Sequence, residues 1–268
     1  MHPRLVQFGH IAIPTYGVFA ALAIIAALAT GTQIARRLSL DPNKIWNLGL
    51  IGIFTVLLGS RVLLILFHLS DFLAHPFWML GIVTIRSNSV FYGSLLLAIC
   101  ACIGYIFANH LPLCRTLDCV APAAALGLAI HGLGAFAAGS DYGSPTTAPW
   151  GMVYTHRLAS LWSGTPLGVK LHPVQLYESG IMFLLFAVLI VLLIRDKQEG
   201  TSAGIFLFVY GAALYFLDFY RGERAFLFAN SLSIAQLFGI VLVLTGAAFL
   251  MRTPGRQQSD GQRSSLLI

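Results

Sequence analysis

Leu176 to Ile194 reads LYESGIMFLLFAVLIVLLI, an apolar run without proline whose one charge, Glu178, stands near its start. A bilayer core roughly 30 Å thick needs about 20 apolar residues per helix, because backbone groups facing lipid must bond within their own segment. This stretch meets that length. Six others do so as well: Tyr16 to Ile34, Trp46 to Phe67, Val90 to Phe107, Val120 to Ala138, Ile205 to Tyr220 and Ile234 to Met251. The composition agrees, with 57% hydrophobic and only 10% charged residues in a chain of 268 and a mean hydropathy of +0.82. A water-soluble domain of this size does not tolerate those values. The expectation is an all-α integral membrane protein of about seven transmembrane helices, with residues 1–252 as one transmembrane domain. Residues 139–172 form an external head region after the fourth span, and 253–268 a polar, disordered cytoplasmic tail.

Cytoplasmic loops are enriched in lysine and arginine. Arg36, Arg37, Lys44, Arg115, Arg195, Lys197, Arg252, Arg256 and Arg263 fall on one face, and Arg4, Arg86, Arg157, Lys170, Arg221 and Arg224 on the other. The balance predicts an external N-terminus and a cytoplasmic C-terminus. The net charge of +6 is scattered over helix ends rather than gathered in a stripe, so it reads as a topology signal and contact with anionic headgroups, not as nucleic-acid binding. No cleavable signal peptide is read, since only His2 and Arg4 precede a first apolar run long enough to span and stay. Cys100, Cys102, Cys114 and Cys119 read as reduced structural thiols, without the histidine partners that a zinc site needs.

Polar residues inside spans point to function, because an arginine at mid-membrane costs roughly 2.5 to 3.5 kcal/mol on insertion scales. Arg61, deep in the second span, therefore needs a cavity or a counter-ion, with Glu178 and Asp218 as the carboxylates on offer. His172-Pro173-Val174-Gln175-Leu176-Tyr177-Glu178 opens the fifth span, with Pro173 suited to a helix first turn and Gln175 and Glu178 three apart on one face. An interfacial cap with an aromatic anchor would explain it equally well. Asp218 and Arg221, also three apart, admit a simple ion pair. His131 in the fourth span and Gln236 in the seventh are two further buried polar groups. Together these residues outline a polar cavity opening outward. Arginine forks suit phosphate, a histidine or carboxylate takes a proton, and the spans supply surroundings for acyl chains. A phospholipid substrate fits all three.

These segments resemble the bacterial prolipoprotein diacylglyceryl transferase family over nearly the whole chain. The strongest match is His172 to Glu178. Gly59-Ser60-Arg61, Val90-Phe91-Tyr92-Gly93, the run from Gly139 to Thr146, Pro149-Trp150-Gly151 and Asp218-Phe219-Tyr220-Arg221-Gly222-Glu223 support it, in order and at fitting separations. The resemblance implies a multi-pass protein of the bacterial cytoplasmic (inner) membrane. Its reaction, the first step of lipoprotein maturation, moves diacylglycerol from phosphatidylglycerol onto the lipobox cysteine thiol of a prolipoprotein signal peptide, releasing glycerol phosphate. The implied partners are phosphatidylglycerol, prolipoprotein signal peptides and membrane lipid, with no metal or organic cofactor and no nucleic acid. The head would receive the signal peptide near its cysteine.

On this reading His131, His172, Tyr92 and Glu178 are candidates for the catalytic proton handling. Arg61, Arg221, Tyr16, Gln175, Tyr177, Asp218, Gln236 and the Gly132 position are candidates for binding substrate. The chain departs from the family pattern where glycine-arginine is usual and His131-Gly132 stands instead. It departs again at Leu214, where a second family arginine precedes the acidic position by four residues, and ahead of the third span, where paired glycines give way to Ser87-Asn88 or Asn88-Ser89. Charge-assisted hydrogen bonds are worth about 1.5 to 3 kcal/mol each, so two readings stand side by side. One is an active transferase that binds phosphate through Arg61, Arg221 and His131. The other is a degenerate paralogue that keeps the lipid pocket without the chemistry. A transporter lacks support in the absence of paired broken helices, and a serine hydrolase in the absence of a Gly-x-Ser-x-Gly elbow.

Overall fold

The computed structural model describes residues 3–8, 11–74, 88–195, 198–228 and 232–252. The polar tail expected from 253 and the position of Ser87 lie outside the described residues. Six helices are long and apolar enough to cross a membrane: α1 (Thr15–Arg37), α2 (Pro42–Phe67), α4 (Asn88–Ala108), α5 (Leu113–Ala138), α7 (Val174–Arg195) and α8 (Thr201–Asp218). A shorter apolar helix, α9 (Ile234–Leu250), matches the seventh expected span. Two short helices, α3 (Leu69–Ala74) and α6 (Arg157–Ser163), complete the described helices.

Local chemistry explains the boundaries. α2 starts with proline in its first turn, behind an Asp41 carboxylate that accepts the Asn43 amide at 2.9 Å. α5 stops at Gly139, whose φ of 79° is a left-handed conformation suited to glycine. α9 opens with a capping box in which Ser233 and Gln236 satisfy each other's backbone amides.

Lipid tails are as apolar as leucine, so helices in a membrane associate through close fit rather than through hydrophobic force. α5 sits at the centre and is the most buried of the six long helices, and α2 the least. Its inner surface is alanine, and Ala121, Ala125 and Ala129 pack on Met182, Leu185 and Leu189 of α7 and on Ala213 and Leu217 of α8. α1 lies along α5, and α2 leans on α1 and α4. At Gly132 the fit reaches the backbone: a Cβ there would lie 2.8 Å from the Gln175 carbonyl oxygen and 3.0 Å from the Ser179 Cβ. Ser179 fastens the same contact by donating to the Ala129 carbonyl at 2.7 Å.

α8 and α9 approach as closely. A Cβ at Gly211 would stand 2.6 Å from the Gly239 carbonyl oxygen, and one at Gly239 would stand 2.7 Å from that of Gly211. Gly211→Val is therefore expected to destabilise the protein by about 1 to 3 kcal/mol through overpacking. The reading is the thermal unfolding midpoint in detergent, and an unmoved midpoint would mean that these two backbones do not touch.

The connection from α5 to α7 folds over one end of the bundle. In it β3 (Met152–Val153) pairs antiparallel with β4 (Lys170–Leu171), and isolated bridges join Gly143 to Arg221 and Pro145 to Leu171. Two other short antiparallel pairs, β1 (Arg4–Phe8) with β2 (Ile11–Pro14) and β5 (Phe226–Phe228) with β6 (Leu232–Ser233), precede α1 and α9. These strands lie in the connections and leave the spanning architecture all-helical.

Candidate active site

The site is built where the head meets the ends of α1, α5, α7 and α8. The chain beyond Ala138 is held as a strap. Ser144 donates its amide to the Tyr220 carbonyl at 2.7 Å, Gly222 donates to the Tyr142 carbonyl at 2.9 Å, and His172 donates to the Ser144 carbonyl at 3.0 Å. The strap thus ties the turn after α8 to the start of α7. It carries Asp141, a non-glycine residue at φ 51°, in a region that side chains adopt only when their surroundings hold them there.

Arg221 lies just beyond the end of α8, half-buried, and pairs with Glu178 of α7 at 3.3 Å. Burial works against its charge, but Glu178 first and then Asp141, Tyr92 and Tyr210 more than offset that, so its pKa is raised above the ordinary arginine value. The same groups place Tyr92 of α4 and Tyr210 of α8 within electrostatic reach of the guanidinium. The Tyr16 hydroxyl meets His131 Nε2 at 3.0 Å, with the two rings edge to face at 5.6 Å. The Asp141 charge is felt both by Tyr16 of the tyrosine-histidine pair and by Arg221 of the arginine-glutamate pair.

A second group surrounds the start of α7. The Trp150 indole donates to the Tyr177 hydroxyl at 2.8 Å, which also lies 3.3 Å from His172 Nδ1. His172 stacks edge to face against Tyr220 at 5.1 Å. Gln175, buried, donates from Nε2 to the Ser140 carbonyl and, at 3.1 Å, to the Tyr154 hydroxyl. Burial pushes the Tyr154 phenol up from its ordinary pKa, and the Gln175 hydrogen bond tempers the shift.

Several sequence expectations meet a different geometry. Asp218 does not pair with Arg221. Its carboxylate accepts Arg224 Nε at 3.0 Å and the Ser233 hydroxyl at 2.7 Å, which joins the end of α8 to the start of α9. Gln236 is engaged in the capping box of α9. Arg61 is half-buried on α2, and among the described residues no carboxylate lies within ion-pair distance of it, since Glu178 and Asp218 are held by other arginines. Gly132 faces α7 so closely that no side chain fits there, and Leu214 is buried. Residues that the sequence did not single out for the site are Tyr210, Tyr154 and Asp141. The first two carry no signal in sequence, whereas Asp141 lay inside a quoted motif.

The family described as prolipoprotein diacylglyceryl transferase matches residues 3–252. The phosphatidylglycerol–prolipoprotein diacylglyceryl transferase of Bordetella bronchiseptica is 30% identical over 264 residues, covering 95% of this chain and 97% of that protein. Its namesake in Photobacterium profundum is 28% identical over 259 residues, 93% of this chain and 92% of that protein. That of Clostridium tetani is 25% identical over 246 residues, 92% and 95%. With its apolar spans and these matches along nearly its whole length, the chain is a multi-pass membrane protein that belongs to the prolipoprotein diacylglyceryl transferase family.

Proposed function

We propose that this protein transfers the diacylglyceryl group of phosphatidylglycerol to the lipobox cysteine thiol of prolipoprotein signal peptides. The observation that carries this reading is the half-buried Arg221, paired with Glu178 at 3.3 Å at the membrane boundary and stabilised in its charge by Asp141, Tyr92 and Tyr210. A guanidinium so placed stays charged and presents a fork for a phosphate diester. In the reaction the peptide sulfur, as thiolate, attacks the glyceryl carbon esterified to phosphate. The new carbon–sulfur bond replaces the carbon–oxygen bond, and glycerol phosphate departs with the electron pair. The thiol proton passes to a base and then to the leaving phosphate. Of the two histidines, His131 suits this better, because its Nε2 meets the Tyr16 hydroxyl at 3.0 Å, whereas His172 is packed between Tyr177 and Tyr220. Arg221 neutralises the phosphate, with Arg61 assisting from α2. Tyr92 and Tyr177 shape the mouth where the head takes the signal peptide, and the buried Gln175 braces it through Ser140 and Tyr154.

The chain is assayed purified in detergent, by release of glycerol phosphate from phosphatidylglycerol with a lipobox peptide. A peptide carrying serine for cysteine is the control. Arg61→Ala is expected to lower thiol-dependent release about tenfold to a hundredfold, the worth of one charge-assisted bond. Release at the unsubstituted level would remove Arg61 from the phosphate site.

One observation favours the second reading, a protein that binds phospholipid without transferring it. At Gly132 the backbone of α7 fills the space that a side chain would need, so an arginine has no seat there. Lipid binding without thiol-dependent release is the result that selects this reading.

A further inference from the structure

From Gly143 to Tyr177 the chain contains no aspartate or glutamate, yet it carries Arg157, Lys170, His156 and His172. The same segment leaves large apolar side chains in the open: Trp150 is 61% exposed, Leu161 67% and Trp162 46%. Leu161 and Trp162 sit on α6, whose first residue is the exposed Arg157. The arginine at the start of β1, Arg4, lies over the Trp162 ring at 5.7 Å and adds a second cation to the same patch. Trp150 is fixed in its exposed position by the hydrogen bond to Tyr177. Because α5 ends at Ala138 and α7 begins at Val174, this face stands at the level where spanning helices leave the membrane.

Tryptophan together with arginine and lysine at that level is the composition of a membrane-water interface, where rings lie among headgroups and cations meet lipid phosphates. We infer that the head rests on the leaflet with Trp150, Leu161 and Trp162 among the headgroups, and that Arg157 and Lys170 gather anionic lipid around the mouth of the site. The inference goes beyond the transfer reading and does not depend on transfer taking place.

The test uses the full chain with Trp46→Phe and Trp78→Phe, so that Trp150 and Trp162 are the emitters. It is reconstituted in phosphatidylcholine bilayers alone, or with phosphatidylserine or phosphatidylglycerol at equal charge, each holding a trace of lipid spin-labelled near the headgroup. Quenching is expected in the anionic bilayers above that in phosphatidylcholine, and equal for the two anionic lipids. Arg157→Gln with Lys170→Gln is expected to need about fivefold more anionic lipid per charge removed for the same quenching, with an unchanged helical circular dichroism spectrum. Four results would overturn the inference: no quenching in any bilayer, quenching blind to lipid charge, a response to phosphatidylglycerol alone, or emission that shifts only when a lipobox peptide is added. The last would assign the face to the peptide. Glycerol phosphate release is read separately, so loss of transfer and loss of surface contact are told apart.

Discussion

Arg221→Ala is expected to lower thiol-dependent release of glycerol phosphate by about 10²- to 10³-fold, the usual loss when one positioned group that stabilises developing charge is removed. Arg221 sits beyond the last turn of α8, and the strap from Gly139 to Ser144 holds the adjoining turn through the Ser144 and Gly222 amides. Truncating the side chain leaves these backbone bonds intact but takes the partner from Glu178, so the thermal midpoint is read beside the rate, and a loss of release with an unmoved midpoint assigns it to chemistry. Arg221→Lys keeps the charge but replaces a planar fork by a point cation, and is expected to recover only part of the rate. Undiminished release from Arg221→Ala would show that the phosphate is bound elsewhere.

Asp118→Ala is expected to cost about 2 to 4 kcal/mol of stability, although the residue stands away from the site. Asp118 is buried on α5, far along the chain from α8, yet its carboxylate accepts the backbone amides of Gly200 and, at 2.8 Å, Ala203. It caps α8 from another helix. Alanine leaves two buried amides without a partner, and each bond to a charged acceptor is worth about 1.5 to 3 kcal/mol. Asp118→Asn keeps an acceptor oxygen and is expected to lose less. Thermal midpoints of the purified variants decide this, and an unmoved midpoint for the alanine variant would mean that α8 does not rely on that cap.

The spans were legible because their signal is local: a run such as LYESGIMFLLFAVLIVLLI has no other use than to cross a bilayer or fill a core. Pairings between helices were not. The spacing of Asp218 and Arg221 fits an ion pair on one helix face, but α8 ends at Asp218 and the turn carries Arg221 away to Glu178, a residue distant in sequence. Asp218 is left to Arg224 and Ser233. Gln236 read as a buried polar group, although Ser233-Ile234-Ala235-Gln236 already held the capping-box pattern that the structure displays. Gly132 stood out in sequence only through resemblance, and the reason for glycine there, the Gln175 carbonyl against it, depends on how α5 and α7 pack. Tyr210 and Asp118 carry no marker of their roles in sequence at all.

Transfer is tested most directly by a single-turnover assay on the unsubstituted protein. Phosphatidylglycerol in detergent is mixed with a lipobox peptide or with its cysteine-to-serine counterpart, and glycerol phosphate is measured beside the mass of the peptide. Glycerol phosphate is expected with the cysteine peptide only, in step with a peptide gaining one diacylglyceryl group. Lipid that binds while neither product forms would contradict transfer, and would make this chain a phospholipid-binding member of a transferase family.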